Sequence, residues 1–159
     1  FRQIGLESFR GQIQFSVGNL RIISRLIEGN FPDYKRIIPA SAKTILKVKV
    51  DELVLAVKKV SLFVQETNNN IKMSVTHDGK LILATDETQI GEGTVEVDVE
   101  MEGENNKVAL NAYYILDMLS HSGSDQVEIA IDNKLSPVKI RPVQKEGAQY
   151  THIIMPLKV

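Results

Sequence analysis

The sequence has no cysteine and no tryptophan, and no apolar run approaches the ~18 residues that span a bilayer. Each absence excludes something. Without cysteine there is no disulfide framework, no thiolate zinc site and no cysteine nucleophile. The first twenty residues mix polar and apolar types, which is not the layout of a secretory leader. The chain is therefore expected to be soluble and cytoplasmic, with no membrane partner. It starts at Phe1, not an initiator residue, so it is expected to be cut from something longer. Its 159 residues suffice for one domain and part of another. A chain of this size buries about two thirds of its unfolded surface and needs no covalent staple. Hydrophobic residues at 43% and charged residues at 25% are ordinary globular values.

A formal charge of −1 conceals an asymmetry. Residues 1–40 carry six basic and three acidic side chains, whereas residues 41–159 carry 13 basic and 17 acidic ones. Eight carboxylates and no Lys or Arg lie between Asp86 and Glu104. Such a run reads first as a solvated strand face.

Most of the chain alternates with the two-residue period of a half-buried strand. Ile13, Phe15 and Val17 share a face, Gly18-Asn19 suits a hairpin turn, and a second strand runs from Leu20 to about Ile27. Residues 28–39 break the pattern with Gly29, Asn30, Pro32, Asp33 and Pro39. The apolar residues there (Phe31, Tyr34, Ile37, Ile38) are expected to pack. The chain then repeats itself. Strand Thr44–Val50 leads to a helix that Asp51 can cap, with Leu53, Val57 and Val60 at helical spacing. Strands Ile71–Thr76, Leu81–Thr85 and Thr94–Met101 follow. A second round has strand Lys107–Leu110, a helix that Asn111 can cap with Ala112, Ile115, Leu116 and Leu119, and strands Val127–Ile131, Val138–Val143 and Tyr150–Leu157. Each half reads strand, capped helix, three strands. Two such units make one two-layer α+β domain over 40–159. Residues 1–39 form a hairpin and linker without a core of their own.

Catalytic constellations are missing. His77, His121 and His152 have no metal-ligand spacing, no Ser sits in a Gly-x-Ser-x-Gly turn, and Gly91-Glu92-Gly93 is too short for a phosphate loop. On one alternating strand Glu96, Asp98, Glu100 and Glu102 share a solvated face, so a metal-dependent phosphoesterase is the weakest reading. The residues point to a non-enzyme with no metal and no cofactor. Three places stand out. One is the rigid turn Phe31–Pro39, rich in apolar and basic groups. Another is the apolar ending from Ile153 to Val159, where chain ends are usually polar. The third is Lys58-Lys59 on the first helix, suited to diffuse contact with nucleic-acid phosphates. A competing reading is a standalone β-rich interaction domain that homodimerises through its last strand and has no DNA role.

Three stretches resemble the bacterial DNA polymerase III beta subunit family, the sliding clamps. Ser24-Arg25-Leu26-Ile27-Glu28-Gly29-Asn30-Phe31-Pro32-Asp33-Tyr34-Lys35-Arg36-Ile37-Ile38-Pro39 resembles the segment joining that family's second and third domains. Leu110-Asn111-Ala112-Tyr113-Tyr114-Ile115-Leu116-Asp117 resembles its last helix, and Tyr150 to Leu157 resembles its C-terminus. The resemblance implies the clamp fold, with helices lining a hole and sheets outside. It assigns 1–39 to the end of the second domain and 40–159 to the third.

It also implies a function. Clamps are head-to-tail homodimeric rings that encircle double-stranded DNA without reading its sequence. They are non-catalytic subunits of the DNA polymerase III holoenzyme, a DNA-directed DNA polymerase complex. They tether the catalytic subunit, the clamp loader and other proteins through a short apolar peptide. The positions matching the deep part of the peptide pocket are Pro32, Arg36, Ile37, Leu135, Pro137, Val138, Ile153, Met155, Pro156 and Leu157. Asn111 and Tyr114 match its shallower part. The resemblance places Leu62 and Phe63 at the ring interface and turns Lys58 and Lys59 toward DNA. By the same resemblance, the first domain and the pocket's opposite wall are absent from this chain.

Overall fold

Ile71, Met73 and Val75 alternate with Lys72, Ser74 and Thr76, and only the first set is buried. That period organises most of the molecule. The computed structural model describes residues 4–64, 69–86, 91–143 and 150–158. Glu87 of the acidic run and Val159 of the apolar ending lie outside the described residues. The chain divides into two compact units, Phe1–Asp33 and Tyr34–Val159. The division falls ahead of the 39/40 boundary read from the sequence, because the 3-10 turn Tyr34–Arg36 goes with the second unit.

The first unit is a three-stranded antiparallel sheet, not a hairpin. Its strands are β1 (Gly5–Phe9), β2 (Gln12–Val17) and β3 (Leu20–Arg25). The strand missed in the sequence, β1, joins β2 through Arg10 (φ 47°) and Gly11 (φ 72°). Two left-handed residues in a row make a primed hairpin turn, and arginine in the first position conceals it. Leu6, Phe15 and Ile22 form one cross-strand row, and all three are exposed. No described residue of this unit is buried. Phe31, Tyr34, Ile37 and Ile38, expected to pack, are exposed too.

The second unit carries one chain path twice. The first copy is β4 (Thr44–Lys49), α1 (Val50–Ser61), β5 (Asn70–Thr76), β6 (Lys80–Ala84) and β7 (Thr94–Asp98). A short β8 (Glu100–Gly103) follows. The second copy is β9 (Asn106–Asn111), α2 (Ala112–Ser120), β10 (Gln126–Ile131), β11 (Val138–Pro142) and β12 (His152–Ile154). The copies interlock. One sheet runs β12-β11-β10-β4-β8 and the other β7-β6-β5-β9. Each copy's first strand therefore lies in the other copy's sheet, and neither sheet is complete without both. The helices pack on each other and on the inner faces of the strands. They bury Leu53, Ala56, Val57 and Val60 from α1 and Ala112, Ile115, Met118 and Leu119 from α2.

Three details correct the strand and cap boundaries read from the sequence. The strand expected over Thr94–Met101 is two. The Val99 N–H leaves the ladder to donate to the Gly79 carbonyl (2.9 Å), and β8 crosses to pair with β4. Tyr150–Leu157 is only partly strand. Past β12 the Leu157 N–H donates to the Ala109 carbonyl (2.9 Å), so the tail passes from one sheet's edge to the other's. The sheets are thus laced on both sides. Finally, Asp51 does not cap α1. Lys49 is the N-cap and its side chain caps no backbone N–H, reaching Glu52 instead (2.7 Å), while Asp51 sits in the first turn and accepts from the Glu52 N–H (2.8 Å).

Two features hold the lacing, one polar and one steric. Thr44 is fully buried, its hydroxyl donating to the Glu104 carbonyl (2.7 Å). It accepts in turn from the Asn106 amide (3.1 Å), which also reaches the Asp132 carbonyl (3.2 Å). A buried network is favourable when its members are satisfied in this way. At Gly103 (φ 100°) an added Cβ would lie 1.9 Å from the Lys43 carbonyl oxygen, so only glycine fits where β8 closes on β4.

Candidate functional site

The C-terminal tail gathers several of the residues singled out in the sequence. In β12 the pleat turns Ile154 into the core and leaves Ile153 and Met155 on the other side. Met155 is 58% exposed, unusual for a methionine directly after a core strand. Pro156 and Leu157 continue half-buried along β9. Leu135, 62% exposed, is presented by a loop that Asn133 organises. The Asn133 side-chain oxygen accepts from the Leu135 and Ser136 N–H groups (2.9 and 3.0 Å). That is an Asx-type turn holding an apolar side chain out to solvent. Leu135 and Leu157 line one groove of about 560 Å³.

Val138 requires a correction. It is the first residue of β11, pairs with Ile154, and is fully buried. Its side chain belongs to the core beneath the tail and offers no surface to a ligand. Pro137, just before it, is half-buried.

Asn111 has a structural task as well. It is the N-cap of α2, its side-chain oxygen accepting from the Tyr113 N–H (2.9 Å). One turn on, Tyr114 is exposed, its ring edge-on to Tyr113 with centroids 6.0 Å apart. Burial pushes the Tyr150 phenol above its ordinary pKa. Arg36 ends the 3-10 turn and Ile37 follows it, both exposed, and the Ile37 N–H donates to the Tyr34 carbonyl (3.0 Å). Pro32 belongs to the first unit and is exposed there.

The other candidates sit on α1. Lys58 and Lys59 occupy its exposed side with Asp51 and Leu55, opposite the buried face. Beyond the helix Leu62 is exposed, whereas the Phe63 ring covers Gly93 so closely that a Cβ there would lie 2.7 Å from it. The acidic residues Glu96, Asp98, Glu100 and Glu102 are all exposed but divided between two sheets. Asp98 pairs with Lys80 at 2.5 Å, and that bond and charge hold its carboxyl below the usual range. Among the described residues no three His, Cys, Asp or Glu side chains are placed to share a metal ion. No described helix is long and apolar enough to cross a membrane.

Comparison with known proteins decides the family. The family model for the DNA polymerase III beta subunit, C-terminal domain, matches residues 35–158. The chain belongs to this family. A beta sliding clamp of Chlamydia muridarum is 30% identical over 93% of this chain and 39% of its own length. One of Staphylococcus aureus is 32% identical over 92% and 39%. The crystal structure of the Thermotoga maritima beta subunit superposes with a TM-score of 0.87 at 28% identity, over 98% of this chain and 42% of that one. A Bartonella birtlesii sliding clamp bound to griselimycin gives 0.87 at 26% identity, over 98% and 41%. This chain thus spans about two fifths of the length of the curated relatives it matches. The clamp fold read from the resemblance is the fold observed.

One feature of the clamp domain escaped the sequence reading. Lys72, Lys107, Lys134 and Lys158 rim the groove that Leu135 and Leu157 line. The alternation of Lys72 and Lys107 with buried neighbours was a visible signal. Their convergence was not, because it depends on β9 pairing with β5 across more than thirty intervening residues.

Proposed function

We propose that this chain is the peptide-docking and DNA-facing part of a replication sliding clamp. In this reading it catalyses nothing. It works in the cytoplasm as part of a homodimeric ring around duplex DNA. It holds the DNA polymerase III catalytic subunit, the clamp loader and other partners by a short apolar peptide. The observation that carries the reading is the apolar surface of a tail clamped between two sheets, where Met155 is exposed and the half-buried Leu157 shares a groove with the exposed Leu135. Clustered exposed apolar side chains mark interaction sites, and methionine adapts to varied ligands. Ile153, Pro137 and Pro156 frame the seam, Asn111 and Tyr114 extend it, and Ile37 and the aliphatic stem of Arg36 complete its deep end.

Tethering explains how such a site serves replication. A polymerase bound to a ring on DNA meets its template at an effective concentration set by the tether, not by bulk solution. Sliding requires contacts that ignore sequence. Lys58 and Lys59 suit that task, since phosphate contacts position a protein without reading bases. Leu62 and Phe63, at the far end of α1, form the contact that closes the ring.

The test uses a labelled peptide carrying two leucines and a phenylalanine. Met155→Ala with Arg36→Ala should weaken its binding about tenfold or more, given ~1.4 kcal/mol per decade. Unchanged affinity would remove the pocket assignment. Griselimycin, bound by the Bartonella relative, should compete with the peptide. In a complete ring, Lys58→Glu should weaken retention on DNA at low salt, with the deficit shrinking as salt rises. A deficit equal at both salts would argue against a phosphate-facing lysine.

A further inference from the structure

The lysine-rimmed groove lies on the outer face of the four-stranded sheet, at its β9 edge. Ile71, Met73, Val108 and Leu110 point into the core, so Lys72, between the first two, and Lys107, just before Val108, point outward. Ala109 pairs with Lys72 across the ladder. Its small side chain keeps the floor low, and Leu135 and Leu157 continue that apolar floor toward the tail. Lys134 and Lys158 stand at the same rim, and among the described residues no carboxylate lines the groove. Lys72 is bonded to Asp86. No described carboxylate comes within ion-pair distance of Lys107, Lys134 or Lys158. The opposite edge of this sheet differs, for Lys80 there is paired with Asp98. Glu104 and Asp132 lie on the adjoining surface that Lys107 and Lys134 also line, but neither carboxylate is ion-paired to them, so the groove is an apolar strip under a local excess of positive charge.

We infer that this groove docks the stretch flanking a partner's apolar anchor and selects partners in which that stretch is a run of Asp and Glu. The inference rests on the pocket reading above, because Leu135 and Leu157 belong to both. A chain leaving the Met155 seam past these two leucines runs onto β9 and beneath the lysines. Its apolar atoms meet Ala109, and its carboxylates meet Lys107, Lys134 and Lys158. Complementary charge of this kind sets partner choice and arrival rate. A nucleic acid fits less well, since among the described residues no aromatic side chain lines the groove to stack a base.

The experiment measures fluorescence anisotropy of two labelled peptides on the full 159-residue chain. Both carry the two leucines and phenylalanine used above, and one adds three consecutive glutamates. The acidic peptide should bind about tenfold tighter in 50 mM salt and about twofold tighter in 500 mM, as screening shortens the reach of charge. Lys107→Glu with Lys134→Glu should abolish that advantage and favour a peptide ending in three lysines, while leaving the unextended peptide unaffected. Both substitutions are at exposed positions, and circular dichroism checks that the fold persists. Equal affinity of the two peptides for the unaltered chain overturns the inference and leaves the pocket standing. If neither peptide binds, the pocket reading fails and this one fails with it. If a single-stranded oligonucleotide displaces the acidic peptide at equal concentration, the groove is a general polyanion site and the proposal is wrong.

Discussion

The two copies of the repeated path differ most at their helices. In the first copy α1 starts without a side-chain cap. Instead it has Asp51 and Glu52 in its first turn and Lys58 and Lys59 in its last, an arrangement that complements the helix dipole at both ends. In the second copy α2 has no acidic first turn and no basic last turn, but Asn111 caps it. The same topology is thus held by distributed charge in one place and by one oriented amide in the other. The difference suits their surfaces. Lys58 and Lys59 are exposed on α1, whereas the exposed side of α2 shows Tyr113, Tyr114 and Asp117.

The largest test breaks the comparison where the copies should be alike. Leu53 in α1 and Ile115 in α2 are both fully buried, so either change to alanine should cost about 2–5 kcal/mol. Because the sheets share strands, each substitution should lower a single cooperative unfolding transition of the second unit. Denaturant unfolding followed by circular dichroism checks this. Two separated transitions, one per copy, would contradict the interlock.

A middle-sized effect sharpens the difference. Asn111→Ala removes the cap of α2 and should cost about 1 kcal/mol. Asp51→Ala, at the equivalent end of α1, removes only a share of the dipole complement, roughly 0.3 kcal/mol. Equal costs in the same unfolding assay would mean that the helices are not held differently.

The smallest effect concerns the charge that marks the first copy. Lys80 holds the Asp98 carboxyl below its ordinary pKa through a hydrogen bond and its charge. A lowered carboxylate pKa contributes stability above the unfolded value, about 4, and that contribution is lost as pH falls through the lower folded value. Asp98→Asn should therefore flatten the decline of Tm below pH 4. Both groups are exposed, so the change is slight. An identical decline in both proteins would show that the pair adds nothing.

The sequence declared some of this and concealed the rest for identifiable reasons. The second helix cap was legible, because Asn111 stands directly before a helical apolar pattern. The first was misread, since Asp51 looks like a cap until the backbone places it inside the turn. Alternation located most strands but carries no sign of which sheet each joins. The exchange of β4 and β9 and the crossover at Val99 were therefore invisible. Strand β1 was missed because Arg10 occupies a left-handed position that sequence rules reserve for glycine or asparagine. Of the proposed site, the tail and the 3-10 turn were legible as family motifs. Val138 was not, because its place in the pleat makes it core.

The peptide seam is the central claim, and the four methionines offer a direct test of it. Met73 and Met118 are buried in the core, Met101 is half-buried on β8, and Met155 alone is exposed at the tail. With methyl-labelled methionine, a titration of the leucine–phenylalanine peptide should shift the Met155 resonance saturably and leave those of Met73, Met101 and Met118 in place. A peptide that binds while Met155 stays unmoved would contradict the account.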